Sequence, residues 1–454
     1  MLFSKRDLVK MIVPLFVQQI LAITVGMVDN MMVAYAGDAA VSGVSLVGSL
    51  DNMLIIIFTS MTAGGTVVIS QIMGSRKYRE ARDGGKQLLY ASTAVAALIT
   101  VAVQILRVPL LKALFGSVEA AVMDSAKDYF LFTSLSYPVF AVQSACNAIL
   151  RVEGKTSAAT VVSVAANLLN VAGNALLIMI CNMGAAGAAI STLISRVVAA
   201  GIMLIVIGSK KNTLYIDKLL RFRPDFKMIR KMLRIGIPNG IESGMFNFGK
   251  LITQSLVSTL PTSMIAANAV ASTIAGYQYM PGGAIGMAVV PVIGRCIGAL
   301  EQKQAKYYSR LLLGVTYVSL WITIGLTFLF AKPLIGAYGL EQEASDMARQ
   351  MLFYHCLCAA VVWPIAFTTP YSFRAAGDVK FPMVISMVSM WAFRVALAHP
   401  LALPEVSVLG MTVPGLNMGI MGVWIAMTVD WLFRAVIYAV HYLKGKWLKM
   451  KMAV

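Results

Sequence analysis

Eight ionisable residues of this sequence fall inside long apolar runs: Asp29, Asp51, Glu242 and Asp430, with Arg196, Lys250, Arg394 and Arg434. In hydrocarbon an isolated charge costs on the order of 3 kcal/mol, so each must find a partner, face a watery cavity or hold an ion. The chemistry on offer is therefore ion binding and charge compensation. Asp29 lies well away from either end of its run, about five turns in, within Gly26-Met-Val-Asp29-Asn30. Asn170 and Asn174 are four residues apart and share one helix face. Amide oxygens joined to a carboxylate suit sodium, while a desolvated aspartate suits a proton; the residues leave both open, as well as a structural role for Asp29 as a hydrogen-bond anchor.

The other charges form smaller groups. Glu242 and Lys250 are eight apart on one stripe, with Phe246 between them and Asn247 and Gln254 nearby. They make either a second cation-sensing site in the C-terminal half or a lysine that neutralises an acid of a neighbouring helix. Asp430 and Arg434, four apart, can pair within one helix, and Arg394 can join them as a structural ion pair. Arg196 is expected to neutralise an acid or carbonyls in the N-terminal half, and Asp51, near the start of its run, to be wet. Tyr137, Tyr277, Tyr279 and Trp363 lie where a ring facing a cleft could stack on a flat cation, and each serves equally well as core.

Helices long enough to cross a bilayer must position these groups. The composition is 59% apolar and 13% charged, about half the charge of a soluble domain. Runs of about 20 apolar residues place spans near 11–34, 45–72, 86–107, 128–150, 158–181 and 184–208. Six more follow near 235–260, 266–297, 310–330, 346–373, 380–402 and 418–443. The division is an N-terminal lobe over 1–209, a basic linker over 210–234 and a C-terminal lobe over 235–454. The first run is too long for a signal h-region, and no small-residue cleavage site follows it, so it reads as a span. Loops on the side of both termini and the linker carry 29 Lys and Arg, against five (Arg107, Lys112, Lys127, Lys332 and Arg349) on the other side. The positive-inside rule then puts both termini in the cytoplasm.

The two halves repeat. Pro14 and Pro238, Gly74 and Gly298, and Ala81 and Ala305 are each 224 residues apart. Arg151-x-x-Gly154 recurs as Arg374-x-x-Gly377 at 223, and Gly184-x-x-Gly187 as Gly419-x-x-Gly422 at 235, with the extra residues in the 403–418 loop. Each unit has an even number of spans, so both copies share one orientation, which suits a two-fold axis along the membrane normal.

Several classes drop out. The net charge of +18 sits in short loops between spans, where anionic headgroups rather than nucleic acid are the expected partner. The five cysteines and three histidines show no zinc spacing, so no metal site or cofactor is expected. No Ser/His/Asp set supports an enzyme, and without G-x-x-x-x-G-K-[ST] an ion gradient rather than ATP must drive any pumping.

Several motifs resemble the multidrug and toxic-compound extrusion family of bacterial type. They are Pro14-Leu-Phe-Val-Gln-Gln with Val28-Asp29-Asn30, Gln71-Ile-Met-Gly74, Arg151-Val-Glu-Gly154-Lys155, the Asn167, Asn170 and Asn174 helix, Gly184-Ala-Ala-Gly187, Gly236-Ile-Pro238 and Arg374-Ala-Ala-Gly377-Asp378. The resemblance runs along essentially the whole chain. It implies a V-shaped pair of six-helix lobes in the bacterial cytoplasmic membrane. The implied activity is proton- or sodium-coupled antiport of small amphipathic organic cations by a monomer. The family's first-helix aspartate, a coupling-ion site, matches Asp29, and its pattern places asparagines where Asn170 and Asn174 stand. A lipid-linked oligosaccharide flippase or a narrowly specific metabolite exporter of the same superfamily is the alternative. The sequence departs from some family members in its second half: their span 7 acid falls about one turn after Glu242, and Trp363 stands close to the place of their span 10 acid.

Overall fold

The structure is a computed structural model describing every residue except 117, 218, 220–222, 409, 410 and 450–454. Helix dominates because the apolar runs leave backbone groups no partner in lipid except one another. In chain order the helices are α1 (Lys5–Ala34), α2 (Asp38–Gly74), α3 (Tyr78–Phe115), α4 (Ala120–Leu135), α5 (Tyr137–Glu153), α6 (Thr156–Asn174) and α7 (Gly184–Gly208). Then come α8 (Phe226–Val257), α9 (Thr262–Gln278), α10 (Met280–Gly298), α11 (Gln302–Gly336), α12 (Gln342–Phe367), α13 (Thr369–Ala375), α14 (Lys380–Ser389), α15 (Ala398–Ala402) and α16 (Ile420–Lys444). A hairpin of β1 (Glu405–Val408) and β2 (Met411–Pro414) precedes α16.

Among the described residues, ten helices or helix pairs are long and apolar enough to cross a membrane. The remaining two of the twelve expected spans fall short of that measure for visible reasons. Span 4 is broken at Ser136 into α4 and α5, just ahead of Pro138. Span 7, within α8, carries Glu242 and Lys250. Spans 8 and 10 are broken as well. α9 gives way to α10 at Tyr279, beside Pro281-Gly282-Gly283, and α12 to α13 at Thr368, one turn beyond Pro364. Proline removes a donor and crowds the preceding turn, which explains both positions.

Helices also extend beyond the apolar windows. α1 begins at Lys5, where Ser4 and Asp7 form a capping box, and α8 begins at Phe226 inside the stretch assigned to the linker. Asp225 caps α8, accepting hydrogen bonds from the backbone N–H groups of Lys227 (2.9 Å) and Met228 (3.1 Å). Hydropathy reports where lipid is, whereas a helix ends where its caps are.

The chain divides into two compact units. One is Met1–Gly240 with Gly298–Leu300; the other takes Ile241–Ile297 and the described residues from Glu301 to Lys449. In the first, α2 packs on α3, α4 and α5, and α6 lies between α1 and α7, around a core that includes Val47, Phe58, Phe130 and Tyr137. In the second, α12 packs on α9, α11 and α16 around Leu352, Trp424, Trp363 and Trp431. Large apolar side chains such as Leu98, Ile105, Ile205, Leu329 and Leu443 point outward, an arrangement that lipid solvates and water does not.

The repeat is visible in backbone conformation. Gly154 and Gly377 hold φ of +85° and +92°, and Gly184 and Gly419 hold +56° and +55°. Arg76 and Leu300, 224 residues apart, are left-handed at +60° and +61°. Glycine occupies four of these corners because a side chain there clashes with the following carbonyl, at about 1–2 kcal/mol per residue, a cost that Arg76 and Leu300 bear. Gly154→Ala and Gly377→Ala are each expected to lower stability by that amount, read as a lower thermal midpoint of the detergent-purified protein. The fifth span ends in a π-helical stretch in both halves: Ala175–Ile180 directly after Asn174, and Met390–Ala396, which contains Arg394. Such widened turns re-aim side chains and recur at functional sites.

Candidate functional site

In the first unit the side chains converge on Asp29. α1 carries it in midspan, half-buried, and α6 brings Asn170 and Asn174 to it on successive turns. Asn174 Nδ2 donates to Asp29 Oδ1 at 2.8 Å. Asn170, with its amide oriented to satisfy both ends, donates to Asp29 Oδ1 at 2.9 Å and Oδ2 at 3.2 Å. Its oxygen then accepts from Thr192 Oγ1 at 3.2 Å and Ser191 Oγ at 3.3 Å, both on α7. The hydroxyl of Ser191 is placed at 2.7 Å from the backbone oxygen of Asn170, which it can alternatively engage. Three helices thus hold one carboxylate. The side-chain oxygen of Asn174 is buried and has no hydrogen-bond partner among the described residues. A buried acceptor without a donor, beside a carboxylate, is the donor set a small cation uses.

A second carboxylate lies in the same unit. Asp51 was expected to be wet, but it is only 8% exposed and accepts a short hydrogen bond from the Tyr137 hydroxyl. The apolar window put Asp51 near a helix start, whereas α2 begins at Asp38, more than three turns earlier. Tyr137 is 1% exposed, so its ring belongs to the core against Phe58 rather than to an open cleft. Arg196 donates to Ser136 Oγ at 2.6 Å, and its guanidinium lies 5.1 Å from the Phe140 ring centre. It makes no ion pair among the described residues.

The second unit sorts its charges differently. Asp430 Oδ1 pairs with Arg434 Nε at 2.8 Å, and Asp430 Oδ2 lies 3.6 Å from Arg394 Nε. Arg434 also donates to Ser389 Oγ at 2.6 Å and to Ser386 Oγ at 2.8 Å. Glu242 pairs with Arg374 at 2.7 Å, a base that the loop reading had counted as cytoplasmic. Asn247 donates to the Ser243 carbonyl of its own helix at 2.8 Å. Lys250 and Gln254 instead line a cavity of about 360 Å³ walled by Tyr279, Trp363, Phe367, Trp424 and Trp431. Tyr279 and Trp363 stack there with centroids 4.9 Å apart and planes 10° apart. Tyr277, two residues earlier on α9, is 40% exposed and is not among the residues lining the cavity. His355 also lines the cavity, in short contact with the Tyr279 hydroxyl.

Sequence reasoning passed over Tyr137 as a partner of Asp51, Ser191 and Thr192 behind Asn170, and Arg374 opposite Glu242. Of these, Arg374 stood in the repeated Arg374-x-x-Gly377 motif and Tyr137 among the candidate rings, but neither signal named its partner.

Comparison with known proteins gives the frame for these sites. The MatE family model matches the chain twice, over residues 14–176 and 238–399. The uncharacterized transporter YisQ of Bacillus subtilis is 28% identical over 447 residues, covering 97% of this chain and 94% of its own. A protein of Thermotoga maritima named probable multidrug resistance protein NorM is 24% identical over 457 residues, covering 98% and 93%. Among solved structures, a crystal structure of a MATE protein in a bent conformation superposes with a TM-score of 0.85 at 18% identity, over 99% of this chain and 97% of that one. The doubled match begins at Pro14 and Pro238, the first pair of residues that defined the repeat. An all-α chain of membrane-spanning helices that carries this model in both halves belongs to the multidrug and toxic-compound extrusion (MatE) family and is a membrane transporter, not an enzyme.

Proposed function

We propose that the chain is a cation-coupled antiporter of the bacterial cytoplasmic membrane that exports amphipathic organic cations by alternating access of its two lobes. The observation that carries the reading is the Asp29 site: a half-buried carboxylate held by two amides, next to a buried amide oxygen with no donor. An ionised carboxylate so placed is stabilised by N–H donors and remains short of a cation, so binding a proton or a sodium ion and binding a cationic cargo can compete for one charge. Exchange requires that competition, because a group holding both at once transports them in the same direction. Sodium would take the carboxylate and amide oxygens of Asp29, Asn170 and Asn174 as ligands, after the amides turn; a proton would need only Asp29. The loop charges support cytoplasmic termini, with 29 basic residues on that side against five. Nothing in the mechanism calls for more than a monomer.

The test is efflux of ethidium from cells of a bacterial strain without its own drug pumps. Expression of the chain is expected to speed efflux. Sensitivity to a protonophore at constant sodium would identify the proton as coupling ion, and sensitivity to sodium removal would identify sodium. Well-inserted protein that exports no member of a panel of organic cations would overturn the reading.

A further inference from the structure

We infer that the aromatic cavity of the C-terminal unit is a binding site for a planar aromatic anion, such as an aryl carboxylate. The inference goes beyond the cation exchange proposed at Asp29, because cavity and carboxylate belong to different units and opposite charges.

Two cations line the cavity, and no carboxylate does. Arg394 is 6% exposed, yet among the described residues its guanidinium makes no hydrogen bond. Its nearest acid is Asp430, at 3.6 Å, and Arg434 already takes that carboxylate at 2.8 Å. One carboxylate therefore faces two guanidiniums. Lys250 adds a further charge: it has no ion-pair partner among the described residues, and its ammonium lies 5.9 Å from the Phe246 ring centre. The Arg394 guanidinium lies 5.4 Å from the same ring. A buried guanidinium held by one long ion pair and no hydrogen bond is under-compensated, and a further carboxylate could accept two of its N–H groups at once. Those cations repel an organic cation and attract an anion.

The walls specify the rest of the ligand. Tyr279 and Trp363 are already stacked, Trp363 stacks in turn on Phe367 at 5.2 Å, and Trp431 presents its edge to both Tyr279 and Phe367. Such rings accept a flat apolar body. Gln254, Asn268 and Ser272 supply neutral polar contacts. A volume of about 360 Å³ lies at the lower end of the range for small-molecule sites, enough for one fused-ring compound.

Three probes of one ring system separate charge from shape: 1-naphthoate, naphthalen-1-ylmethanol and 1-naphthylmethylammonium. Each is titrated by calorimetry into the whole protein, purified in an uncharged detergent. Naphthoate is expected to bind most tightly and the ammonium least. Lys250→Met should weaken naphthoate roughly tenfold without weakening the alcohol, and Lys250→Arg should restore it; unchanged binding of the alcohol shows that the cavity is intact. Equal or tighter binding of the ammonium by the wild type, absence of naphthoate binding, or indifference to Lys250→Met would each overturn the inference. The titrations need no gradient, so ethidium export without naphthoate binding would remove this inference and leave the proposed antiport standing.

Discussion

Asp29→Asn is expected to reach the membrane in normal amount and to lose at least roughly 100-fold in ethidium export, the equivalent of about 2.7 kcal/mol. The substitution keeps size and shape. It removes the charge that Asn170 and Asn174 both address, through contacts of 2.8, 2.9 and 3.2 Å. Without that charge the site has nothing for coupling ion and cargo to compete over, so the loss is expected in transport rather than in folding. Insertion should not suffer, because a neutral amide in midspan is less costly in lipid than a carboxylate. Asp29→Glu keeps the charge on a longer arm and should retain partial activity, which separates a need for charge from a need for placement. The assay is ethidium efflux normalised to membrane-fraction protein. Wild-type efflux from Asp29→Asn would remove the residue from the coupling mechanism and reduce it to an anchor between α1 and α6.

Much of this arrangement could be read in the sequence, for identifiable reasons. A buried charge is rare and expensive, so Asp29, Glu242, Lys250 and the Asp430 group stand out from an apolar background before any contact is known. Helical spacing joins Asp430 to Arg434 and Asn170 to Asn174, because four residues are one turn. Glycines with positive φ mark the corners of the repeat, and those constraints survive in both halves. What escaped was whatever depends on the rotation of one helix against another. Nothing in the spacing says that Tyr137, some 86 residues from Asp51, closes on it, or that Glu242 meets Arg374. Asp51 was misjudged because an apolar window measures lipid contact, while α2 continues well beyond it. The paired strands β1 and β2 lie in the inserted residues where the repeat offers no template.

The Asp430 network should govern the stability of the second unit, and the largest loss is expected from removing its acid. Asp430→Ala leaves Arg394 and Arg434, at 6% and 3% exposure, facing each other without a counter-charge. Breaking a buried pair from one side costs about 3–5 kcal/mol, chiefly because the remaining charge is stranded. Here two are stranded, although they are not left equally poor. Arg434 keeps Ser386 and Ser389 as acceptors and lies 5.2 Å from Phe246 and 5.6 Å from Phe367, whereas Arg394 keeps only the face of Phe246. Arg434→Met should therefore be milder than Asp430→Ala, since Asp430 can still turn to Arg394. The triple change Asp430→Leu, Arg394→Met and Arg434→Met removes every stranded charge and should recover most of the loss. Thermal midpoints of the detergent-purified variants give the order: wild type and the triple change highest, Arg434→Met between, Asp430→Ala lowest. An Asp430→Ala midpoint equal to wild type would mean that water or lipid headgroups already compensate the two guanidiniums, and that the network does not hold α16 to the π-helical turn of the fifth span.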